Sequence, residues 1–220
     1  MSESLETGEN MPSAYEVPTT LEEWAGSQNL TLTLLFTDIV DSTAIGIKLG
    51  DRKWIEDLFL HFSRGRSLTL NYDCYVVKVI GDSLMMAFRT STDAVDFALA
   101  FIVNTGVDYI GIRAGINSGQ VHLRENDVYG LTVNLTSRLQ HAVQREGVLV
   151  SDSVMSDYKK TFGVDSGVRF NPRDEPLKSF GVTTVYWTFK PGRLEAIRKQ
   201  RKARADLLGI VKSTAPSEVP

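Results

Sequence analysis

The sequence predicts an α+β fold with a ferredoxin-like split βαβ core and a mixed sheet. The hydrophobic period alternates between strand-like and helix-like in the order β-α-β-β-α-β, then α-β. The two central strands meet at Gly81–Asp82, a two-residue connection that signals a hairpin. The chain of 220 residues is 42% hydrophobic and 9% aromatic, enough for one core with tails at about 150 residues per domain.

Residues 1–28 are polar, acidic and rich in Ser, Thr and Pro, and read as a flexible arm with a turn of helix around Leu21–Trp24. The folded body spans 29–190. Residues 31–37 (TLTLLFT) form a buried strand, and Ser42 or Thr43 in DIVDST caps the helix that follows. Apolar residues over 43–70 keep helical spacing but break near Gly50–Asp51, giving two helices or a bent one. Strands are expected at 74–80 and 83–88, and a capped amphipathic helix at 91–104. Strands at 109–116 and 119–124 flank a turn at Asn117–Gly119. A helix at 131–144, a short strand at 147–150 and a helix at 152–160 follow. Two strands within 166–189 are divided around Pro172–Pro176. Helices are expected on one face of the sheet, leaving the other face or the strand ends open to a ligand or partner. Residues 191–220 form a basic tail, helical to about 211 and solvated.

Composition excludes several classes of function. Lys plus Arg number 24 and Asp plus Glu 27, a net charge of −3, which argues against a general nucleic-acid binder. The single Cys74 rules out an intramolecular disulfide framework, and three histidines without an H-E-x-x-H arrangement argue against a zinc enzyme. Any metal should therefore be a hard cation held by carboxylates. No apolar stretch approaches the roughly 18 residues of a membrane span, and the N-terminus lacks a basic segment followed by an apolar block. The expected location is the cytoplasm.

Two carboxylates stand out. Asp38 ends an apolar strand just before a helix start, and Asp82 sits at a hairpin tip. Strand ends and hairpin tips of one sheet can lie side by side, so the pair could hold one or two divalent cations. The neighbouring helix start offers free N–H groups and a dipole that favour phosphate. That combination suits nucleotide chemistry at phosphorus.

Four blocks carry a family resemblance: LLFTDIVDST at 34–43, VVKVIGDSLMMAF at 76–88, IRAGINSGQV at 112–121 and DVYGLTVNLTSR at 127–138. In this order, and across 30–190, the chain resembles the class III nucleotidyl cyclases, the catalytic domains of adenylate and guanylate cyclases. The resemblance implies their fold, a nucleoside triphosphate substrate, two divalent cations (Mg²⁺ or Mn²⁺), and a 3′,5′-cyclic nucleotide with pyrophosphate as products. It assigns Asp38 and Asp82 as metal ligands, with the carbonyl of Ile39 as a third donor. Asn134 would position the ribose and Arg138 would meet charge developing on the α-phosphoryl group. Lys78 and Asp127 would read the base, and Arg113 would grip the outer phosphates beside the helix start at Ser42 and Thr43. Lys178 in PLKSFG aligns loosely with a second phosphate contact. Lys78 and Asp82 lie four residues apart near one strand end, yet the family assigns them to different active sites. The resemblance therefore implies a head-to-tail homodimer with two sites at the interface.

The Lys78/Asp127 pair disfavours guanine and leaves adenine, cytosine and uracil open, because each presents an acceptor and a donor that the pair can satisfy. Tyr129 stands where adenylate cyclases often have Trp, and Asp73–Cys74–Tyr75 replaces a small, Gly-rich approach to the lysine strand. A bare cyclase body with short tails resembles the bacterial pyrimidine cyclases of anti-phage defence, whose product is read by a separate effector protein. The expected product is cyclic UMP, with cyclic AMP as the alternative. An inactive cyclase-like module is disfavoured because both metal aspartates and Arg138 are present, and a diguanylate cyclase because its GG[DE]EF signature is absent. Stable nucleic-acid binding through the basic tail is not expected.

Overall fold

The structure is a computed structural model that describes residues 20–163 and 166–210. An eight-stranded sheet has β2 (Cys74–Ile80) at one edge, then β3 (Ser83–Phe88), β1 (Asn29–Ile39) and β4 (Ile112–Arg124). It continues through β6 (Gly147–Ser151) and β8 (Gly181–Phe189) to the edge strand β7 (Arg169–Leu177). The short β5 (Asp127–Tyr129) pairs with β4. The β2-β3-β1-β4 order, antiparallel throughout, is the split βαβ core expected from the hydrophobic periods. The parallel β4–β6 pair makes the sheet mixed.

Helices cover both faces, not one. Leu35, Ile39, Leu84, Met86, Ile112 and Ile116 point into a core shared with α4 (Ser91–Val103) and α6 (Asp152–Phe162). Alternate residues on the same strands, including Leu32, Leu34, Met85, Ala87 and Val121, pack with α1 (Leu21–Ala25) on the opposite face. There α5 (Leu131–Ala142) also lies against β4, β1 and β6. Burial on both faces explains why β1 and β3 read as continuous apolar runs without polar alternation.

Other expectations also change. No turn interrupts β4 at Asn117–Gly119: the β1–β4 register runs unbroken from Asn29↔His122 to Ile39↔Ile112. The turn-forming chemistry is absorbed by α5. Asn117 Nδ2 donates to Thr132 O at 3.3 Å, and a Cβ on Gly119 would lie 2.7 Å from Thr132 Oγ1. Pro172 and Pro176 lie inside β7 instead of dividing two strands. An edge strand tolerates them because its outer N–H groups have no ladder partner to lose. The end of the expected arm is structural: Leu21 and Trp24 are buried, and a Thr20/Glu23 capping box closes α1. Residues 1–19 of that arm lie outside the described residues, as does the tail from 211. The basic segment folds as α7 (Arg193–Leu207) and docks on the α4 side, with Arg201 and Ala205 buried instead of solvated. The break near Gly50 is confirmed: Gly50, at φ +77°, separates α2 (Ser42–Leu49) from α3 (Asp51–Thr69).

Gly115 sets how closely α5 approaches β4. A Cβ there would overlap the backbone nitrogen of Gln140 and lie 2.7 Å from Thr136 O. Neither backbone atom can swing away, so Gly115→Ala should lower stability by about 2 kcal/mol or more. Urea denaturation checks this; a loss below about 0.5 kcal/mol, the scale of an unremarkable surface substitution, would show that α5 is seated elsewhere.

Candidate active site

Asp38 lies at the end of β1, directly opposite Arg113 on β4. The cross-strand register therefore delivers an acid and a base to one face, and they form an ion pair through Arg113 Nη2 and Asp38 Oδ2. The second carboxylate arrives on the hairpin. Gly81 takes φ +62°, as the first central position of a type II′ turn requires, and Asp82 follows it. The next two residues pin this turn to β1. Ser83 Oγ donates to Asp38 Oδ1 at 3.2 Å, and Leu84 N donates to Thr37 Oγ1 at 3.2 Å. Asp38 and Asp82 thus converge at one end of the sheet.

The arrangement has the polarity of a cation site. Asp82 Oδ2 is buried without a hydrogen-bond partner among the described residues. A carboxylate oxygen held out of water without a donor is costly, and a bound cation would satisfy it. The guanidinium on Asp38 shows that this carboxylate already attracts positive charge. No group of three or more His, Cys, Asp or Glu side chains is placed to hold a metal among the described residues. The implied donor set needs only Asp38, Asp82 and the carbonyl of Ile39. Ile39 has a buried side chain, so its main chain is the part that can serve. All three donors are oxygens and suit a hard divalent cation.

The adjoining helix start differs from the expectation in one detail. The N-cap of α2 is Asp41, in the left-handed conformation at φ 58° and without a side-chain capping bond, not Ser42 or Thr43. Ser42 and Thr43 fall in the first turn, half-buried and exposed respectively, where their N–H groups can face an anion.

A second cluster forms where β2 comes alongside β5. A register shift between Val76 and Lys78 turns Lys78 toward β5, where its Nζ lies 2.5 Å from Asp127 Oδ2. Val128 N also donates to Asp127 Oδ1 at 2.8 Å. The sequence reading missed β5. Its turn, Glu125–Asn126, has positive φ at both positions, and Asn126 was the only clear signal for that conformation. Asn126 also accepts from Leu21 N at 2.6 Å and from the Tyr75 hydroxyl at 3.2 Å. Asp73 and Tyr75 are where α1 docks, whereas Cys74 packs into the core on the opposite face. Trp24 Nε1 donates to Asp73 Oδ1 at 2.9 Å, and the rings of Trp24 and Tyr75 lie 6.1 Å apart. Tyr129 is 50% exposed.

Asn134 and Arg138 lie one turn apart on α5. Thr132, Thr136 and Leu139 hold the buried side of that helix, whereas Asn134 is exposed and Arg138 half-buried. Among the described residues, no hydrogen bond or ion pair joins Lys78, Asp127, Asn134 or Arg138 to Asp38 or Asp82. Within one chain the two clusters are thus not joined by hydrogen bonds or ion pairs among the described residues. Lys178 lies in the β7–β8 turn, and the strand directions put it at the end of the sheet opposite Asp38.

This arrangement defines a nucleotidyl cyclase catalytic domain of class III. The family model for the adenylate and guanylate cyclase catalytic domain matches residues 26–188, and the chain belongs to that family. It is 29% identical over 130 residues to a pH-sensitive adenylate cyclase of Mycobacterium tuberculosis, a match covering 56% of this chain and 31% of that protein. The match spans about a third of the length of this relative and of the adenylate cyclases of two Streptomyces species. The catalytic core of a rhodopsin-guanylyl cyclase with converted specificity, solved with ATPαS, superposes with a TM-score of 0.65 at 25% identity, covering 73% of this chain and 96% of that one. The adenylyl cyclase CyaB from P. aeruginosa superposes at 0.64, covering 76% and 97%; at 22% identity it speaks to the fold alone. No helix among the described residues is long and apolar enough to cross a membrane.

Proposed function

We propose that this chain converts a nucleoside triphosphate into a 3′,5′-cyclic nucleotide and pyrophosphate, at two sites shared across a head-to-tail homodimer. The observation that carries this reading is the convergence of Asp38 with Asp82, whose Oδ2 is buried and unpartnered, beside a helix start. Bound at Asp38, Asp82 and the Ile39 carbonyl, divalent cations would acidify the ribose 3′-hydroxyl and neutralise the pyrophosphate leaving group. Arg113, here paired with Asp38, would be the residue that meets the outer phosphates. The first-turn N–H groups around Ser42 and Thr43 receive phosphate oxygens. The partner chain contributes Lys78 and Asp127 to the base and Asn134 to the ribose. Its Arg138 supplies a planar donor fork to the oxygens on which charge grows. On this reading, which follows the family resemblance, pairing two chains completes the chemistry.

The base we infer is uracil. The Tyr75 hydroxyl bonds Asn126, the residue beside Asp127, while its ring lies against Trp24; a bulky residue in place of a small one this near the base-reading pair favours a single-ring base. Against O4 and N3–H of uracil, Lys78 donates and Asp127 accepts. Cyclic UMP would then act as a signal for a separate effector protein in anti-phage defence, as the resemblance implies. ATP is the second reading, favoured by relatives named adenylate cyclases. Incubation with each of ATP, GTP, CTP and UTP in the presence of Mn²⁺ separates them. UTP should be turned over fastest and GTP slowest, and predominant ATP turnover would replace uracil with adenine.

A further inference from the structure

We propose that the cavity between α7 and the α4–β4 connection is a binding site for a small phosphorylated anion, distinct from the cyclase site. It has a volume of about 700 Å³, within the range of small-molecule sites. One wall is the loop after α4, contributing Asn104, Thr105 and Asp108; the other is α7, contributing Arg193, Arg201 and Arg204.

Both walls are held firmly from behind, so the space between them is a built feature. Thr105 is buried, and its hydroxyl donates to Ile110 O at 2.9 Å. His61 Nδ1 donates to Thr105 O at 2.9 Å, and burial pulls His61 down to about 4, so the ring is neutral at physiological pH. Gly106, at φ +87°, lies so close to α3 that a Cβ would come within 2.9 Å of Leu60 O. On the other wall, Arg201 is 3% exposed and ion-paired with Glu146, and Arg198 donates to the Glu146 carbonyl. These contacts fix α7 without filling the cavity.

The charge balance selects the ligand. Glu146 neutralises Arg201 from outside the cavity. Arg193 and Arg204 lie at exposed positions on the cavity wall and form no ion pair among the described residues. Among the described residues Asp108 is the one acid lining the cavity, so the positive charge there is in excess. Arg204 lies one turn from Arg201, and Arg193 adds positive charge about three turns away at the other end of the cavity, an arrangement that suits an anion carrying several phosphate oxygens better than a single carboxylate. Val103, Val107 and Ile197 supply an apolar strip for an organic portion.

The test is calorimetric titration of the full chain with inorganic pyrophosphate in EDTA. Because pyrophosphate is also the product of the proposed reaction, two variants separate the sites. Arg193→Glu/Arg204→Glu should weaken binding about tenfold or more, as removal of charge-assisted contacts does, while Arg113→Ala leaves it intact. Both cavity substitutions fall on exposed positions, and circular dichroism would establish that the fold is kept; Arg193→Gln/Arg204→Gln serves in its place if it is not. Absence of saturable binding would overturn the proposal. So would binding that is lost in Arg113→Ala and kept in the double variant, because it would then belong to the cyclase site.

Discussion

Asp82→Asn should lower kcat about 10³-fold or more with either Mg²⁺ or Mn²⁺, while leaving the metal-free protein at least as stable to heat as the parent. The two halves of this expectation share one cause. Asp82 is half-buried, and its Oδ2 is buried with no donor to meet it among the described residues, so one carboxylate oxygen lacks a partner in the folded chain. Replacing the carboxylate by an amide removes the negative charge at nearly constant volume. It also removes the ligand that would hold a cation, so the rise in melting temperature on adding Mn²⁺ should shrink with the activity. Asp38→Asn should behave differently. Asp38 already satisfies Arg113 and Ser83, and its loss strands a guanidinium whose Nε is itself buried without a partner. That variant should lose both activity and metal-free stability. Paired kinetic and thermal measurements on the two variants check the contrast, and equal destabilisation of both would remove the basis for treating Asp82 as a waiting ligand.

The difference between these aspartates was not legible in the sequence, although both residues were. Each stood out by local context, at the end of an apolar strand and at a two-residue turn. Such signals depend on neighbours in the chain, and they held for β1, for the β2–β3 hairpin and for the break at Gly50. What Asp38 touches depends on the register between β1 and β4, which is set by burial of both faces across the whole strand pair. The same limit accounts for the turn expected at Asn117–Gly119. Its residues have turn chemistry, but Thr132 on α5 takes up the Asn117 amide and packs over Gly119. The docking of α7 was hidden for a related reason. A run of arginines reads as a solvated face until Glu146, distant in sequence, is found beside Arg201. The assignment of Lys78 and Asp82 to different active sites comes from the family resemblance; what the fold adds is the irregularity at Val76/Lys78 and the pairing of Lys78 with Asp127 beside β5.

The proposed sharing of sites between two chains leads to the second large effect. Arg138→Ala should lower kcat by about 10²- to 10³-fold with little change in KM, since its donor fork meets charge that exists fully only in the transition state. The protein should remain folded, because Arg138 is half-buried, with no hydrogen bond or ion pair to another described residue, on the side of α5 away from Thr136 and Leu139. Alone, Arg138→Ala and Asp82→Asn each spoil both sites of the proposed homodimer. Mixed after dissociation and reassociation, they should recover activity. In a mixed dimer one site combines both lesions, and the other combines Asp82 of one chain with Arg138 of its partner, both intact. Random equal mixing makes half the dimers hybrid with one working site each, so recovery should approach about a quarter of the parent activity. The measurement distinguishes two arrangements that a single chain cannot. If each chain carried a complete site, no mixture could do better than its inactive components. If the half-sites meet only between chains, recovery should appear and should fall when Gly115→Ala displaces α5, because that helix carries both Asn134 and Arg138 to the partner.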